Sequence, residues 1–237
     1  MTRTTFLDCE FDPRNMALSG LLSLGVTDDD NADYYAVNAD ADFGAVLDHA
    51  FIVEHVLPHM PVTVIRSDAG TPVAIDFDPS HPHYEHVKPA TQIAADLDSY
   101  FKAPAAPQLV AYYGAQDACR LHSLWENDWS EMPVHIPRYF TDIKVMADEL
   151  GVSELPEQQS TAHHALADAC YNRDAYRFLR SLQKQGRIGA EDLARQLHAN
   201  SLLVDASTPY WETLTIKQRD AYRRSAEILL TQYDIRS

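Results

Sequence analysis

The sequence is poor in cysteine and in positive charge, and it has no long apolar segment. Of its 237 residues only three are cysteines: Cys9, Cys119 and Cys170. An odd and sparse set of cysteines argues against a disulfide framework and favours buried, reduced thiols. No run approaches the roughly 18 apolar residues of a membrane-spanning helix, and the first residues lack the apolar region of a signal peptide. We therefore expect a soluble, cytoplasmic protein with no membrane partner.

Positive charge is scarce, because 19 Lys and Arg residues stand against 35 Asp and Glu residues and give a formal net charge of −16. This balance disfavours a nucleic-acid-binding module that relies on Lys and Arg to neutralise phosphates. It does not exclude an enzyme that meets phosphate through bound cations, since metal ions can reverse the local sign of a carboxylate-rich site. Apolar residues make up 46% of the chain, which is enough for the core of one medium domain.

The pattern of apolar residues along the chain is typical of an α/β protein. Short apolar runs predict strands, and stripes at helical spacing predict helices. The predicted strands lie at 6–11, 18–27, 33–37 and 108–113, and the predicted helices at 43–57, 91–101, 115–125, 139–150, 162–184, 190–198 and 216–232. The first three strands predict a β-meander, and the whole order predicts one mixed sheet flanked by helices.

Two segments stand apart from this α/β core. Residues 61–89 are rich in proline and are predicted to be a loop insertion, with one short strand at 62–66. The composition changes near 186, so we expect a main domain over 1–185 and a helical C-terminal extension over 186–237. The extension has an apolar face. The sequence leaves open whether this face covers the domain or joins two chains in a homodimer.

Asp8 and Glu10 are the first candidates for chemistry. They lie two positions apart on a predicted strand, where side chains alternate, so both carboxylates leave the same face. Two neighbouring carboxylates repel each other unless a cation lies between them. A solvent-facing pair on an edge strand is the alternative, and the pair alone does not decide between the two.

Two further carboxylates occur near the start of predicted helices. Asp117 follows the predicted strand 108–113, where α/β sheets place ligands, although the helix dipole also favours an Asp at this position. His163 and Asp168 can reach one site only if His163 lies in the segment before the helix predicted at 162–184. Each motif alone is moderate evidence, because such residues are also common in structural roles.

Taken together, these motifs resemble those of the DEDDh (DnaQ-like) exonucleases in order and spacing. The order is Asp8-Cys-Glu10 on the first strand, Asp117 after a later strand, and His163-His-Ala-Leu-Ala-Asp168 at the start of a helix. Other stretches are similar to the mycobacterial group of polyadenylate-specific exoribonucleases AS, among them Leu22-Ser-Leu-Gly, His55-Val-Leu-Pro and Ile136-Pro-Arg-Tyr-Phe. The resemblance covers about residues 5–182, outside the 61–89 insertion, and points to an actinobacterial or actinophage member.

The resemblance implies an RNase H-like fold, hydrolysis from the 3′ end of a single-stranded nucleic acid, and a site for two Mg²⁺ or Mn²⁺ ions. Asp8, Glu10, Asp117 and Asp168 would hold the ions, about 4 Å apart. Hard oxygen ligands suit these ions better than zinc. One ion would activate a water with His163 as its general base, and the other would stabilise the leaving 3′-oxygen.

Phe11, Tyr113 and Arg138 are the candidate substrate contacts. Arg138 is the candidate for a phosphate contact on the resemblance alone, and the two aromatic side chains could stack on bases. Phe11 and Tyr113 replace the Thr and Asn of many DEDDh enzymes, which leaves the metal site intact and changes the substrate contacts. His81, His83 and His86 form only a weak zinc motif because no cysteine accompanies them.

Several functions remain open on the sequence alone. RNA, with poly(A) among the candidates, is favoured over DNA as the substrate by the closer resemblance, although the choice depends on contacts with 2′-hydroxyls. A non-catalytic nucleic-acid-binding domain on the same fold is disfavoured, because all four carboxylates and the histidine are retained. A phosphodiesterase acting on dinucleotides or nucleotides would use the same residues.

Overall fold

The structure, a computed structural model, describes residues 3–102, 107–185, 190–204 and 209–233. The chain divides into two compact units, Met1–Leu179 and Arg180–Ser237. The cysteines Cys9, Cys119 and Cys170 are all free thiols. None of the helices in the described ranges is both long and apolar enough to cross a membrane.

A mixed sheet forms the centre of the first unit. The strands of this unit are β1 (Arg3–Phe11), β2 (Leu21–Asp28), β3 (Tyr34–Asn38), β4 (Val62–Arg66), β5 (Pro72–Phe77), β6 (Val87–Lys88), β7 (Pro107–Ala111) and β8 (Phe140–Asp142). Six of them form the central sheet in the order β6-β3-β2-β1-β7-β8. Strands β1 to β3 pair antiparallel, whereas β7 and β8 continue the sheet parallel to β1. The predicted β-meander and the α/β fold class are confirmed, and the sheet is consistent with an RNase H-like fold.

Helices flank this sheet on both faces. The α-helices that begin in the first unit are α1 (Ala90–Phe101), α2 (Ala115–Ser123), α3 (Ile143–Glu149) and α4 (Ala165–Gln185), and those of the second unit are α5 (Ala190–Val204) and α6 (Ile216–Tyr233). Since side chains alternate along a strand, neighbouring residues of β1 enter different cores. Leu7 joins the core that holds Leu97 of α1, whereas Phe6 joins the core that holds Ile143 of α3 and Ala175 of α4.

The helix predicted at 43–57 is replaced by short turns. These are 3-10 turns at Phe43–Val46 and Leu57–His59 and a π-helical turn at Ile52–Val56. Four apolar residues of the stripe still reach one common core, namely Val46, Val53, Val56 and Leu57, whereas Ala50 is exposed. Helical spacing of apolar residues therefore indicated the buried side of the segment correctly, but the segment does not form one continuous helix.

The structure confirms one short strand and adds three that the sequence pattern did not show. The strand predicted at 62–66 is β4. The rest of the segment 61–89 is not only a loop, because it carries the antiparallel partner β5 and ends in β6, which joins the central sheet beside β3. The helix predicted at 139–150 begins only at Ile143, because Asp142 accepts the backbone N–H groups of Lys144 and Val145 and caps α3. The residues before this cap form β8, an edge strand of three residues.

The second unit is helical. Its core contains Leu193 and Ala194 of α5 together with Trp211 and Ala226. At the start of α6, Thr215 and Gln218 exchange reciprocal hydrogen bonds between side chain and backbone, which is the arrangement of a capping box. The division into a main domain and an extension stays a prediction.

Candidate active site

β1 places Asp8 and Glu10 on one face of the central sheet. They alternate with Leu7 and share the face of Phe6, which is the face that packs against α3 and α4. Glu10 is only 8% exposed and Asp8 is half-buried. A β-bulge between Glu10 and Phe11 ends the regular pairing with β2 directly after the second carboxylate.

Asp117 reaches the same region from α2. It lies in the first turn of this helix, just past the carboxyl end of β7, which runs parallel to β1. The backbone N–H of Cys9 donates to Asp117 Oδ1 at 2.9 Å, so the carboxylate contacts β1 directly. The connection is tight: Tyr113 has a left-handed backbone with φ of 52°, and the N–H of Gly114 donates to Asp142 at 3.0 Å.

Asp168 comes from the first turn of α4, and the segment before this helix folds back onto it. The N–H of His163 donates to Asp168 Oδ2 at 2.8 Å, and the amide of Gln158 donates to Oδ1. His163 has a φ of 62°, a left-handed conformation that costs roughly 1–2 kcal/mol for a residue with a side chain. His163 therefore lies outside the helix, as convergence with Asp168 requires, while the ring of His164 stacks on Tyr35.

Close contact with the sheet sets the position of α4. A Cβ atom on Gly25 of β2 would lie 2.3 Å from the Cα of Leu166, so only glycine allows this approach. The buried amide of Asn172 donates to the carbonyl of Leu7 at 2.9 Å and ties the next turns of the helix to β1. These contacts determine where Asp168 lies relative to the carboxylates of β1.

The four carboxylates and the imidazole converge on one region. Glu10, His163 and Asp168 each offer a ligand atom, and these atoms lie within 4.8 Å of one another. Within the described ranges, this is the single group of three or more such residues. Burial raises the pKa of Asp8 well above its usual range, and the charges of Asp117, Glu10 and Asp168 raise it further.

The electrostatics of the cluster favour a bound cation. Burial, followed by the charges of Asp168 and Asp117, raises the pKa of Glu10 to about 8. Burial also raises the pKa of Asp117 to about 7, although the N–H of Cys9 opposes this shift. Buried carboxylates that repel one another stay ionised together at neutral pH only when a positive charge lies among them. Carboxylate oxygens are the ligands that Mg²⁺ and Mn²⁺ prefer, so the residues present fit these ions.

The two aromatic candidates for substrate contact are placed differently. Phe11 is partly buried against the core, and the guanidinium of Arg120 lies 4.7 Å from the centroid of its ring. Tyr113 is 61% exposed and stands at the turn before the helix that carries Asp117. Of the two, Tyr113 has the free surface that stacking on a base requires.

Arg138 lies away from the carboxylates. It precedes β8, and the pairing of Leu109 with Phe140 puts it level with the N-terminal end of β7, whereas Asp117 follows the C-terminal end. Its guanidinium donates to the backbone carbonyls of Trp129, Met132 and Val134. The structure therefore does not bring Arg138 to the cluster, because the side chain holds together the loop at the opposite end of the parallel strands.

Three polar side chains beside the cluster are missed by the sequence analysis. Gln158, which donates to Asp168, lies in a stretch without periodicity, so no signal marks it. Asp142 raises the pKa of Asp117, although burial is the larger cause. In the sequence, Asp142 has the position of a helix cap, but it lies within the longer helix predicted at 139–150. Arg120 is fully buried one helical turn after Asp117, a spacing that could have been recognised.

The molecule thus combines a mixed α/β sheet with a cluster of carboxylates from β1, α2 and α4. No protein-family profile matches the chain. The chain is similar to two proteins named 3′-5′ exoribonuclease, one from each of two strains of Mycobacterium tuberculosis, CDC 1551 / Oshkosh and ATCC 25618 / H37Rv. It is 25% identical to each over 184 residues, which cover 77% of this chain and 96% of the relative. The relationship is distant and extends over nearly the whole length of both relatives.

Proposed function

We propose that this protein is a divalent-metal-dependent 3′→5′ exoribonuclease that releases nucleoside monophosphates from a single-stranded 3′ end. The observation that carries the proposal is the convergence of Asp8, Glu10, Asp117, Asp168 and His163 from three separate parts of the chain. The distant similarity to two proteins named 3′-5′ exoribonuclease supports RNA as the substrate. The order of the motifs, which resembles that of the DEDDh exonucleases, supports the same reaction.

The carboxylates of Asp8, Glu10, Asp117 and Asp168 would hold two Mg²⁺ or Mn²⁺ ions. Bound ions would compensate the negative charge of these carboxylates, polarise the scissile phosphate and make a bound water more acidic. The carboxylates suit this task because burial and mutual repulsion raise the pKa of Asp8 and of Glu10 in the metal-free protein. A cation removes that repulsion, so binding energy is available where the phosphate must lie.

His163 is the proposed general base. Imidazole is the side chain that enzymes use most often to take up a proton from a reacting water. The backbone of His163 is held by Asp168, and its ring lies 4.9 Å from that of Phe51 in an edge-to-face arrangement. The side chain is only half-buried, so a proton taken from the water can pass on to solvent.

The test is digestion of 5′-labelled poly(A), mixed-sequence RNA and DNA with Mg²⁺, Mn²⁺ or EDTA. We expect RNA to shorten from its 3′ end only when a metal is present. Asp8→Asn and Asp168→Asn should abolish the ladder, and Asp68→Asn, an exposed carboxylate of the hairpin turn, is the matched control. Wild-type turnover in either cluster variant, or no shortening of any strand with either metal, would refute the proposal. A preference for DNA would overturn the choice of substrate alone.

A further inference from the structure

A cavity of about 610 Å³ lies beside the carboxylate cluster. The segment 158–168 contributes to both sites: Gln158, His163 and Asp168 belong to the cluster, whereas residues between them line the cavity. Four histidines line the cavity together with polar side chains: His59, His81, His83, His164, Asp33 and Gln159. The volume lies within the range of roughly 300–1,000 Å³ that is typical of small-ligand sites.

Imidazole rings dominate one wall of this cavity. The ring of His83 lies 5.4 Å from that of His164 and 5.5 Å from that of His81, measured between centroids. His164 is in turn stacked on Tyr35, with centroids 4.4 Å apart and the ring planes inclined by 26°. The wall is therefore a nearly continuous surface of aromatic rings, and Tyr35 holds one of them in place from behind.

This histidine wall is not arranged as a zinc site. Structural zinc needs three or four ligand atoms in one coordination shell. Across the described residues, the sole group that brings three such atoms within 4.8 Å is Glu10 with His163 and Asp168. Moreover, Nδ1 of His81 already accepts the backbone N–H of His83 at 3.1 Å. Aromatic rings that line a cavity can contact a flat aromatic ligand by stacking or edge to face.

The remaining walls offer the groups that read the edge of a nucleobase. Gln159 carries an amide that both donates and accepts, Ser160 and Thr161 carry hydroxyls, and Asp33 carries a carboxylate. Unstacked bases bind proteins by stacking on aromatic rings, histidine included, and by hydrogen bonds along their edges. The carboxylate, in a chain with a net charge of −16, disfavours a phosphate in the cavity.

We propose that this cavity binds an unstacked nucleobase of the single-stranded substrate, from a nucleotide near the 3′ end. The proposal rests on the exonuclease function proposed above. Ala167 lines the cavity and is followed directly by Asp168 of the cluster, so a base in the cavity belongs to a nucleotide close to the reacting phosphate. His81 and His83 come from the segment 61–89, which gives that insertion a role in positioning the strand.

Binding of a base is tested without any phosphate or metal by titration with adenosine and with uridine. The imidazole NMR signals of the cavity histidines should shift in the wild-type protein at millimolar nucleoside. They should also shift in Tyr84→Ala, a control in the same turn as His83 whose side chain does not line the cavity. His83→Ala should weaken the binding, and His81→Ala serves as the second variant if His83→Ala unfolds. Absence of any shift in the wild-type protein would overturn the proposal.

The position of the base along the strand is tested with 5′-labelled RNAs that each lack one base at successive positions from the 3′ end. We expect kcat/KM to fall about tenfold at one internal position, within the range that stacking of a base on aromatic side chains supplies. His83→Ala should lower kcat/KM on the intact strand by a similar factor and lose that dependence, whereas Tyr84→Ala should keep it.

A flat profile in the wild-type enzyme would overturn the subsite while leaving the exonuclease intact. If no strand were shortened at all, the exonuclease function would fail, and a shift with free nucleosides would then show only that the cavity binds bases. The two failures are therefore distinguishable.

Discussion

Replacing Glu10 by Gln is expected to stabilise the metal-free protein while it abolishes activity. Glu10 is almost fully buried, and burial together with the charges of Asp168 and Asp117 raises its pKa from 4.5 to about 8. An ionised Glu10 is thus unfavourable in the folded, metal-free protein. Glutamine keeps the shape of the side chain, cannot ionise, and removes one negative charge from the cluster.

The sign of the effect follows from proton linkage. A carboxyl group whose pKa is higher in the folded state contributes stability that is complete below the unfolded value and is lost as the pH rises through the folded value. For Glu10 this loss runs from about pH 4.5 to about pH 8. A pKa gap of this size corresponds to about 5 kcal/mol at 1.36 kcal/mol per pH unit. Because neighbouring carboxylates share protons, we expect Glu10→Gln to add about 2–4 kcal/mol at about pH 9 and little at about pH 4.

The assay is urea denaturation in EDTA across this pH range, with the midpoint and the slope both recorded. The matched control is Asp28→Asn. Burial by itself would raise the pKa of Asp28, but the N–H groups of Ala32 and Asp30 and the guanidinium of Arg3 together lower it. Asp28→Asn should therefore destabilise the protein above about pH 4, the opposite sign. If Glu10→Gln left the free energy of unfolding unchanged or lowered it at about pH 9, the repulsion inferred for the cluster would be refuted.

Saturating Mg²⁺ or Mn²⁺ should narrow the difference in the free energy of unfolding between the wild-type protein and Glu10→Gln. A ligand present at 100 times its dissociation constant stabilises the folded state by about 2.7 kcal/mol. The wild-type protein should gain this stability, whereas Glu10→Gln, which lacks one anionic ligand, should gain less. Equal gains in both proteins would show that the ions bind elsewhere.

Three further changes test the supports of the site. Gly25→Ala should lower the free energy of unfolding by about 1–3 kcal/mol and reduce turnover, because the new Cβ would displace the backbone of Leu166 at the start of α4. A wild-type unfolding temperature together with wild-type turnover would count against this. Asn172→Ala should cost about 1–3 kcal/mol in the free energy of unfolding, since the buried carbonyl of Leu7 loses its donor. His163→Ala should lower turnover by about 100-fold or more, while the metal affinity, measured by calorimetry, stays near that of the wild type. Unchanged turnover at every pH would show that His163 is not the general base.

Much of this molecule follows from local patterns in the sequence. The alternation of side chains along a strand is a property of the backbone, so the common face of Asp8 and Glu10 needed no knowledge of the rest of the fold. The helix start at Thr215 and Gln218 is equally local, because the capping residues are three positions apart. The mixed sheet could be predicted because apolar runs and helical stripes alternate in a characteristic order.

Other features depend on contacts between distant parts of the chain. The strand β8 has three residues, too few to show a period, and it exists because β7 offers it a parallel partner. The stripe at 43–57 showed which side is buried, but periodicity does not report whether the backbone between the apolar residues stays helical. Arg138 was chosen by resemblance, and only the register of the strands places it at the far end of the sheet.

The cluster and the cavity show the same division. Residue type and spacing are local properties, and together with the resemblance they were enough to pick out the carboxylates and the histidine. Three other features arise from tertiary contacts: the approach of α4 to the sheet at Gly25, the left-handed backbone of His163, and the contact of His83 with the segment before α4. Each of these depends on packing between elements far apart in the chain, and a pattern within one element reports which face is buried but not what covers it.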